Sequence, residues 1–191
     1  MDARECLADF GEILKAIHHY LNLLPPEINL QPVLRAWEAG GLWNFGWSED
    51  GKLARHWLNA AAHQAAVGAL AYGIAASIIP VPQSATRIAT AALVHDAYKR
   101  REYEALERAK QNCGDLPAAN RQADRESERF LRNIGFSPRI IALAQATGDL
   151  GLKYMMQGWT TLDQQIVFYA DCCVSNYDIV GYKKRFDDLL I

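Results

Sequence analysis

The chain has 191 residues, of which 22% are charged and 50% are hydrophobic, and its 20 Lys and Arg residues nearly balance 22 Asp and Glu residues. A chain of this size and composition forms one ordinary globular domain whose core needs no disulfide bonds. The formal net charge of -2 provides no overall attraction to nucleic acid polymers or to anionic membranes, so we expect neither as a partner.

Helix start and stop signals occur along most of the chain, and no stretch alternates apolar and polar residues for the length of a strand. The sequence therefore predicts an all-α bundle of about six to eight helices. The predicted helices cover residues 3–24, 32–39, 53–79, 84–110 and 118–133, followed by a helix that begins at Ser137-Pro138 and a helix that carries Asp171.

Other signals place the turns between these helices. Gly135 ends the helix before Ser137, and Ser84 is a candidate cap for the helix at 84–110. Thr161 and Gln164 have the spacing of a capping box. Residues 147–159 show no comparable pattern and are predicted to form a loop, and the chain ends in an amphipathic tail around Phe186 and Leu189.

One segment has some features of a membrane span, because no Lys, Arg, Asp or Glu occurs between Arg55 and Arg87. Its strictly apolar part, residues 65–79, is shorter than the ~18 residues that indicate a span. We therefore predict a helix buried in the protein. The charged N-terminal residues and the four cysteines, which lack paired metal-binding spacing, lead us to expect a cytoplasmic protein.

Ionisable side chains occur in two segments that otherwise have the composition of a protein interior. His95 and Asp96 follow a run of apolar residues, and Asp171 lies on the apolar stripe of its predicted helix. A buried carboxylate without a partner costs several kcal/mol, so each of these groups needs one. A divalent cation would serve both segments, whereas a buried hydrogen bond explains His95 and Asp96 without metal.

The five histidines narrow the choice of ligands. His56 and His63 share one face of a predicted helix but lie about 10.5 Å apart along its axis, so they do not easily bind one ion together. One of them, with His95, Asp96 and Asp171, would join three helices around a divalent first-row metal that keeps positions open for water or substrate.

The sequence resembles the HD-domain metal-dependent phosphohydrolases, whose signature is H…HD…D. The resemblance covers residues 53–190, and residues 1–52 then form a helical and aromatic-loop extension packed on this core within a single domain. The matching pieces are His63-Gln64-Ala65-Ala66-Val67, Ala91-Ala92-Leu93-Val94-His95-Asp96-Ala97-Tyr98-Lys99 and Ile166-Val167-Phe168-Tyr169-Ala170-Asp171.

This resemblance implies a metal centre with four protein ligands. His63 is preferred to His56 because the family motif places a valine four residues after its first histidine. The resemblance then implies that His63, His95, Asp96 and Asp171 bind one divalent ion, which could be Mn, Co, Fe, Ni, Zn or Mg. No histidine follows His95, so the additional histidines of two-metal members are missing, which argues against a cyclic-dinucleotide phosphodiesterase.

The same resemblance implies hydrolysis of a small-molecule phosphate ester, with a nucleotide as the expected substrate, by metal-activated water. Lys99 matches the HDxxK variant of the motif and is our candidate catalytic residue, in contact with the phosphate. The alternative for Lys99 is a solvated lysine at the start of a basic run. No general acid or base is identified, and Asp149 and Glu128 are candidates only because they flank the expected pocket.

Two other classes of function stay open. The domain could be a non-catalytic HD module that binds a nucleotide or a protein partner, or an iron-dependent oxygenase of HD-like fold, for which the chain has too few histidines. Trp43, Phe45 and Trp47 either line a pocket for a nucleobase or fill the core. The sequence does not decide between a monomer and a homodimer.

Overall fold

The computed structural model describes residues 3–43, 46–47, 53–54, 57–112 and 114–184, and these form an all-α bundle. The α-helices in this part of the chain are α1 (Ala3–Asn22), α2 (Leu30–Gly40), α3 (Leu58–Ile78), α4 (Pro82–Ala92), α5 (Lys99–Gln111), α6 (Leu116–Ile134), α7 (Pro138–Ala144), α8 (Asp149–Met156) and α9 (Leu162–Cys172). The strands form two short antiparallel pairs, β1 (Gly46–Trp47) with β2 (Leu53–Ala54) and β3 (Val174–Ser175) with β4 (Asp178–Ile179).

Helix α3 lies at the centre of the bundle and packs against α1, α4 and α9. Small side chains allow these neighbours to approach closely. A Cβ atom added at Gly68 would lie only 2.5 Å from Leu93 Cδ2, so the segment after α4 is seated directly on α3. The fully buried alanines of α3 are Ala61, Ala62, Ala65, Ala66, Ala71 and Ala75.

By length and composition, α3 is also the one helix in the described residues that could cross a membrane. Half of its most apolar 18-residue window is buried inside the protein. Its composition is therefore also that of the core helix of a bundle, as the sequence predicts.

The prediction of one continuous helix over residues 84–110 is wrong. Helix α4 ends at Ala92, residues 93–98 form turns, and α5 begins at Lys99. In a continuous helix the Ala92 and Leu93 carbonyls would accept hydrogen bonds from backbone N–H groups four residues later. Instead, His95 Nδ1 donates to the Ala92 carbonyl and Trp37 Nε1 donates to the Leu93 carbonyl.

Two predicted helix starts are also corrected. Helix α3 begins at Leu58 rather than at residue 53, because Leu53–Ala54 pairs with Gly46–Trp47 as β2. Helix α4 begins at Pro82, whose fixed φ suits the first helical position, and Ser84 lies inside the helix.

The predicted loop at 147–159 is wrong, because Gln145–Thr147 forms a 3-10 turn and α8 follows it. A Cβ atom added at Gly151 would lie 1.9 Å from the Ala146 carbonyl oxygen. This contact with the preceding turn depends on the absence of a side chain, so tertiary packing rather than a local apolar pattern forms α8.

The predicted cap at Ser84 is wrong, whereas the predicted caps at Gly135, Ser137 and Thr161 are confirmed. The Ser137 hydroxyl accepts a hydrogen bond from the Ile140 N–H, and Thr161 and Gln164 form both bonds of a capping box. Gly135 ends α6 with a positive φ of 106°, a conformation that favours glycine. The predicted tail around Phe186 and Leu189 lies outside the described residues.

Two glycine-to-alanine substitutions test the packing of α8. We expect Gly151→Ala to lower the free energy of unfolding by about 1–3 kcal/mol, because its Cβ overlaps the Ala146 carbonyl. Gly73→Ala on α3 is the matched control: it meets nothing within 4 Å and should stabilise the protein by about 0.5–1 kcal/mol. Urea denaturation measures both changes. Equal stabilities of the two variants would contradict the close contact between α8 and the turn that precedes it.

Candidate metal centre

The structure brings His63, His95, Asp96 and Asp171 together from three segments. His63 lies in the second turn of α3, His95 and Asp96 lie in the 93–98 turn, and Asp171 lies in the last turn of α9. The Oδ1 atom of Asp171 is 2.9 Å from His63 Nε2 and 3.3 Å from His95 Nε2. Ligand atoms of His63, His95 and Asp96 lie within 4.8 Å of one another, so this group could hold a metal ion.

Backbone carbonyls fix the orientation of both imidazole rings. His95 Nδ1 donates to the Ala92 carbonyl at 2.7 Å, and His63 Nδ1 donates to the Asn176 carbonyl at 2.8 Å. Because a carbonyl oxygen only accepts, each Nδ1 must carry a proton. In a neutral ring the lone pair is then on Nε2 and faces the carboxylates, which is the arrangement by which proteins hold metal-binding histidines.

The Nε2 atom of His95 is buried and has no well-aligned hydrogen bond within the described part of the chain. Its side chain is 1% exposed, and Asp96 Oδ2 lies 3.7 Å from this nitrogen. Two imidazole lone pairs and two carboxylates would repel one another, so the cluster needs either added protons or a cation. Two nitrogens and two carboxylates form a donor set that suits a divalent first-row metal.

The cluster is open to solvent on the side of its carboxylates. The side chains of Asp96 and Asp171 are 26% and 27% exposed, in contrast to the buried ring of His95. The carboxylates of the cluster are therefore partly accessible to solvent.

Without metal, protons supply the positive charge. Burial lowers the pKa of His95, but the charges of Asp96 and Asp171 outweigh burial and raise the pKa to about 9. Burial raises the pKa of Asp171, whereas His95 and His63 lower it more, so this pKa lies well below its usual range. The metal-free cluster therefore contains an imidazolium between carboxylates.

Lys99 lies at the rim of the cluster, as the sequence predicts, but as the first residue of α5 rather than within a continuous helix. Its Nζ atom is 3.7 Å from Asp96 Oδ1 and 3.6 Å from Glu102 Oε1, and its side chain is 46% exposed. The charge of Asp96 raises the pKa of Lys99 against the opposing effect of burial, so the amine stays protonated. Its contact with a phosphate stays a prediction.

Two residues that the sequence does not predict, Glu102 and Asn176, also support the cluster. Glu102 contacts Lys99. Burial raises the pKa of Glu102 above its usual value, although the charge of Lys99 opposes this shift. Its spacing of three residues from Lys99 on a helix is the signal that could have identified it. Asn176, in the hairpin between β3 and β4, has a φ of 55° and holds His63 through its carbonyl, for which the sequence offers only a turn signal.

Other candidate residues lie elsewhere or outside the described part. Trp43 is half-buried and packs against Trp37, with ring centroids 6.0 Å apart, so it contributes to the core. Glu128 pairs with Arg132 on α6. His56 and Phe45 lie outside the described residues, and the side chains of Trp47 and Asp149 are not described.

Comparison with protein-family models, with curated protein sequences and with solved structures gives no match to this chain. The resemblance to the HD-domain phosphohydrolases therefore stays an interpretation of the motif. The distances and hydrogen bonds of the cluster are the basis for assigning a function.

We expect purified protein to bind one divalent ion per chain, and His95→Ala and Asp171→Ala to lose it, because each removes a ligand that contacts the shared site. His18→Ala, on the exposed surface of α1, is the control and should keep the metal. Elemental analysis after dialysis measures the amount of bound metal per chain. Stoichiometric metal in both His95→Ala and Asp171→Ala would exclude this ligand set.

The pKa of His95 also predicts how the stability of chelator-treated protein depends on pH. A group whose pKa rises on folding stabilises the fold fully below its ordinary pKa of 6.5 and loses this contribution as pH rises through about 9. The free energy of unfolding should therefore fall across this window, and His95→Gln should flatten the decline while His18→Gln should not. Urea denaturation at several pH values tests this, and an increase in stability across the window would contradict it.

Proposed function

We propose that the protein is a metal-dependent phosphohydrolase that hydrolyses a small phosphate ester, with a nucleotide as the expected substrate. The observation that carries the proposal is the shared orientation of His63 and His95. Each has Nδ1 bonded to a backbone carbonyl and Nε2 directed at the partly exposed carboxylate of Asp171. A self-contained His–Asp hydrogen bond needs only one such ring, whereas a metal centre uses both.

His63, His95, Asp96 and Asp171 would hold the ion. A divalent ion bound by such a set lowers the pKa of a water molecule and polarises a phosphoryl oxygen, which supplies a nucleophile and neutralises charge. The chain itself provides the rigidity: the ligands come from the end of one helix, the interior of another and a turn seated between them. Ligands held on three separate backbone segments resist displacement better than ligands that neighbour one another on one loop.

Lys99 would bind the phosphate. A phosphate beside a divalent cation still carries excess negative charge, and an ammonium group 3.7 Å from the ligand Asp96 can meet that charge. Glu102 Oε1 also lies 3.6 Å from the ammonium, so two carboxylates favour a position of Lys99 beside the cluster.

One observation favours a second candidate, a non-catalytic module that binds a nucleotide or a protein partner. In the absence of metal, the carboxylates of the cluster already have partners in His63, His95 and Lys99. The same side chains could therefore serve a purely structural or binding role. Catalysis must be measured to separate the two candidates.

The test uses purified protein stripped of metal with EDTA and reloaded with Mn²⁺ or Co²⁺. We expect phosphate release from at least one member of a panel of nucleotides, sugar phosphates and p-nitrophenyl phosphate, lost on stripping and restored on reloading. Asp171→Asn, assayed in parallel, should be inactive. If metal-loaded protein releases no phosphate from any compound, the binding module replaces the phosphohydrolase.

Lys99→Ala should reduce kcat/KM by roughly ten- to a hundredfold, because a charge-assisted hydrogen bond contributes about 1.5–3 kcal/mol. Metal content and folding should not change, since the side chain is largely at the surface. Arg100→Ala is the matched control on the same helix, because Arg100 pairs with Glu104 one turn along α5.

Arg101, the next residue of α5, is a poorer control than Arg100 because it contacts other elements. Its guanidinium donates to the Ala39 carbonyl and lies over the rings of Tyr98 and Phe130. Steady-state rates of the Lys99 and Arg100 variants on a confirmed substrate decide the role of Lys99. Equal and negligible losses would show that Lys99 is only a surface residue.

A further inference from the structure

Trp37, on α2, contacts both segments that carry the histidines of the candidate centre. Its side chain is fully buried, and its Nε1–H donates to the Leu93 carbonyl at 2.8 Å and to Gln64 Oε1 at 3.2 Å. Leu93 precedes His95 by two residues, and Gln64 directly follows His63. One indole N–H therefore joins the 93–98 turn to the helix that supplies the other imidazole.

Gln64 has a fixed orientation in this network. It is the fully buried polar side chain of α3, and its Nε2 donates to the Ala60 carbonyl at 3.1 Å. The amide oxygen is thereby turned toward Trp37. Buried polar groups whose partners are all satisfied hold a single local arrangement, because any alternative leaves a donor or acceptor unpaired.

The last turn of α2 contacts the other end of the 93–98 turn. A Cβ atom added at Gly40 would lie 1.9 Å from the Ala97 carbonyl oxygen, so the two backbones are in direct contact. Arg101 donates to the Ala39 carbonyl at 2.9 Å and ties α2 to the first turns of α5. Helix α2 thus holds the 93–98 turn both before and after His95 and Asp96.

We propose that α2 is a positioning element of the metal centre, with Trp37 as its principal residue. This inference rests on the metal centre of the proposed function. While Trp37 occupies the Leu93 carbonyl, Ala97 N–H donates to the Val94 carbonyl and the chain turns. Without the indole N–H, Ala97 N–H can compete for the Leu93 carbonyl, which would extend α4 and change the direction of the His95 ring.

The test compares Co²⁺ binding by the full chain and by Trp37→Phe. The substitution keeps a buried aromatic ring and removes the N–H. We expect the Kd for Co²⁺ to rise roughly tenfold, at the lower end of the effect of outer-shell partners of metal ligands. The visible absorption bands of the bound Co²⁺ should also shift, a change that a general loss of stability would not produce.

Trp43→Phe is the matched control, because Trp43 packs against Trp37 but its indole donates no hydrogen bond within the described part of the chain. It should keep the wild-type Kd and spectrum. If Trp37→Phe does not fold, two substitutions on the surface of α5 test the role of α2 instead. These are Arg101→Gln and its control Arg100→Gln. The first should weaken Co²⁺ binding, because it frees the end of α2, and the second should not.

The outcomes separate the two proposals. Wild-type Co²⁺ affinity and spectra in both Trp37→Phe and Arg101→Gln would overturn the positioning role of α2 and leave the metal centre intact. A wild-type chain that binds no Co²⁺, Mn²⁺ or other divalent ion would overturn the metal centre and this inference together.

Discussion

The structure of the candidate centre depends on two backbone carbonyls that accept hydrogen bonds from side chains. Ala92 O is bonded by His95 and Leu93 O is bonded by Trp37, at positions where a continuing helix would have used backbone N–H groups. Helix α4 therefore ends, and the chain turns. An apolar helix that would otherwise continue into α5 instead presents His95 and Asp96 to α3 and α9.

Electrostatics then determine what this arrangement can hold. The imidazole protons are committed to carbonyls on the outer side, so lone pairs and carboxylates face inward. Such a cluster needs positive charge. It comes either from protons, because Asp96 and Asp171 raise the pKa of His95, or from one divalent ion. Exchange between these two sources would allow one set of residues to be stable without metal and to bind a metal ion with release of protons.

Much of this could be predicted from the sequence, because a carboxylate or histidine in an apolar segment must find a partner, as for His95 and Asp171. Helix ends at Gly135 and Thr161 were equally predictable, since their signals are local. The break after Ala92 was not, because the Leu93 carbonyl is bonded by Trp37, a residue distant in the sequence, and a backbone acceptor leaves no sequence signal. Helix α8 likewise forms through packing around Gly151 rather than through a periodic pattern.

The most direct test of the account is anomalous diffraction from crystals of Mn²⁺-loaded protein. A single anomalous peak should lie among His63, His95, Asp96 and Asp171, with both imidazoles bound to the ion through Nε2. Their Nδ1 atoms should still be bonded to the Asn176 and Ala92 carbonyls. No peak in this cluster, or coordination through Nδ1 with these carbonyl bonds broken, would contradict it.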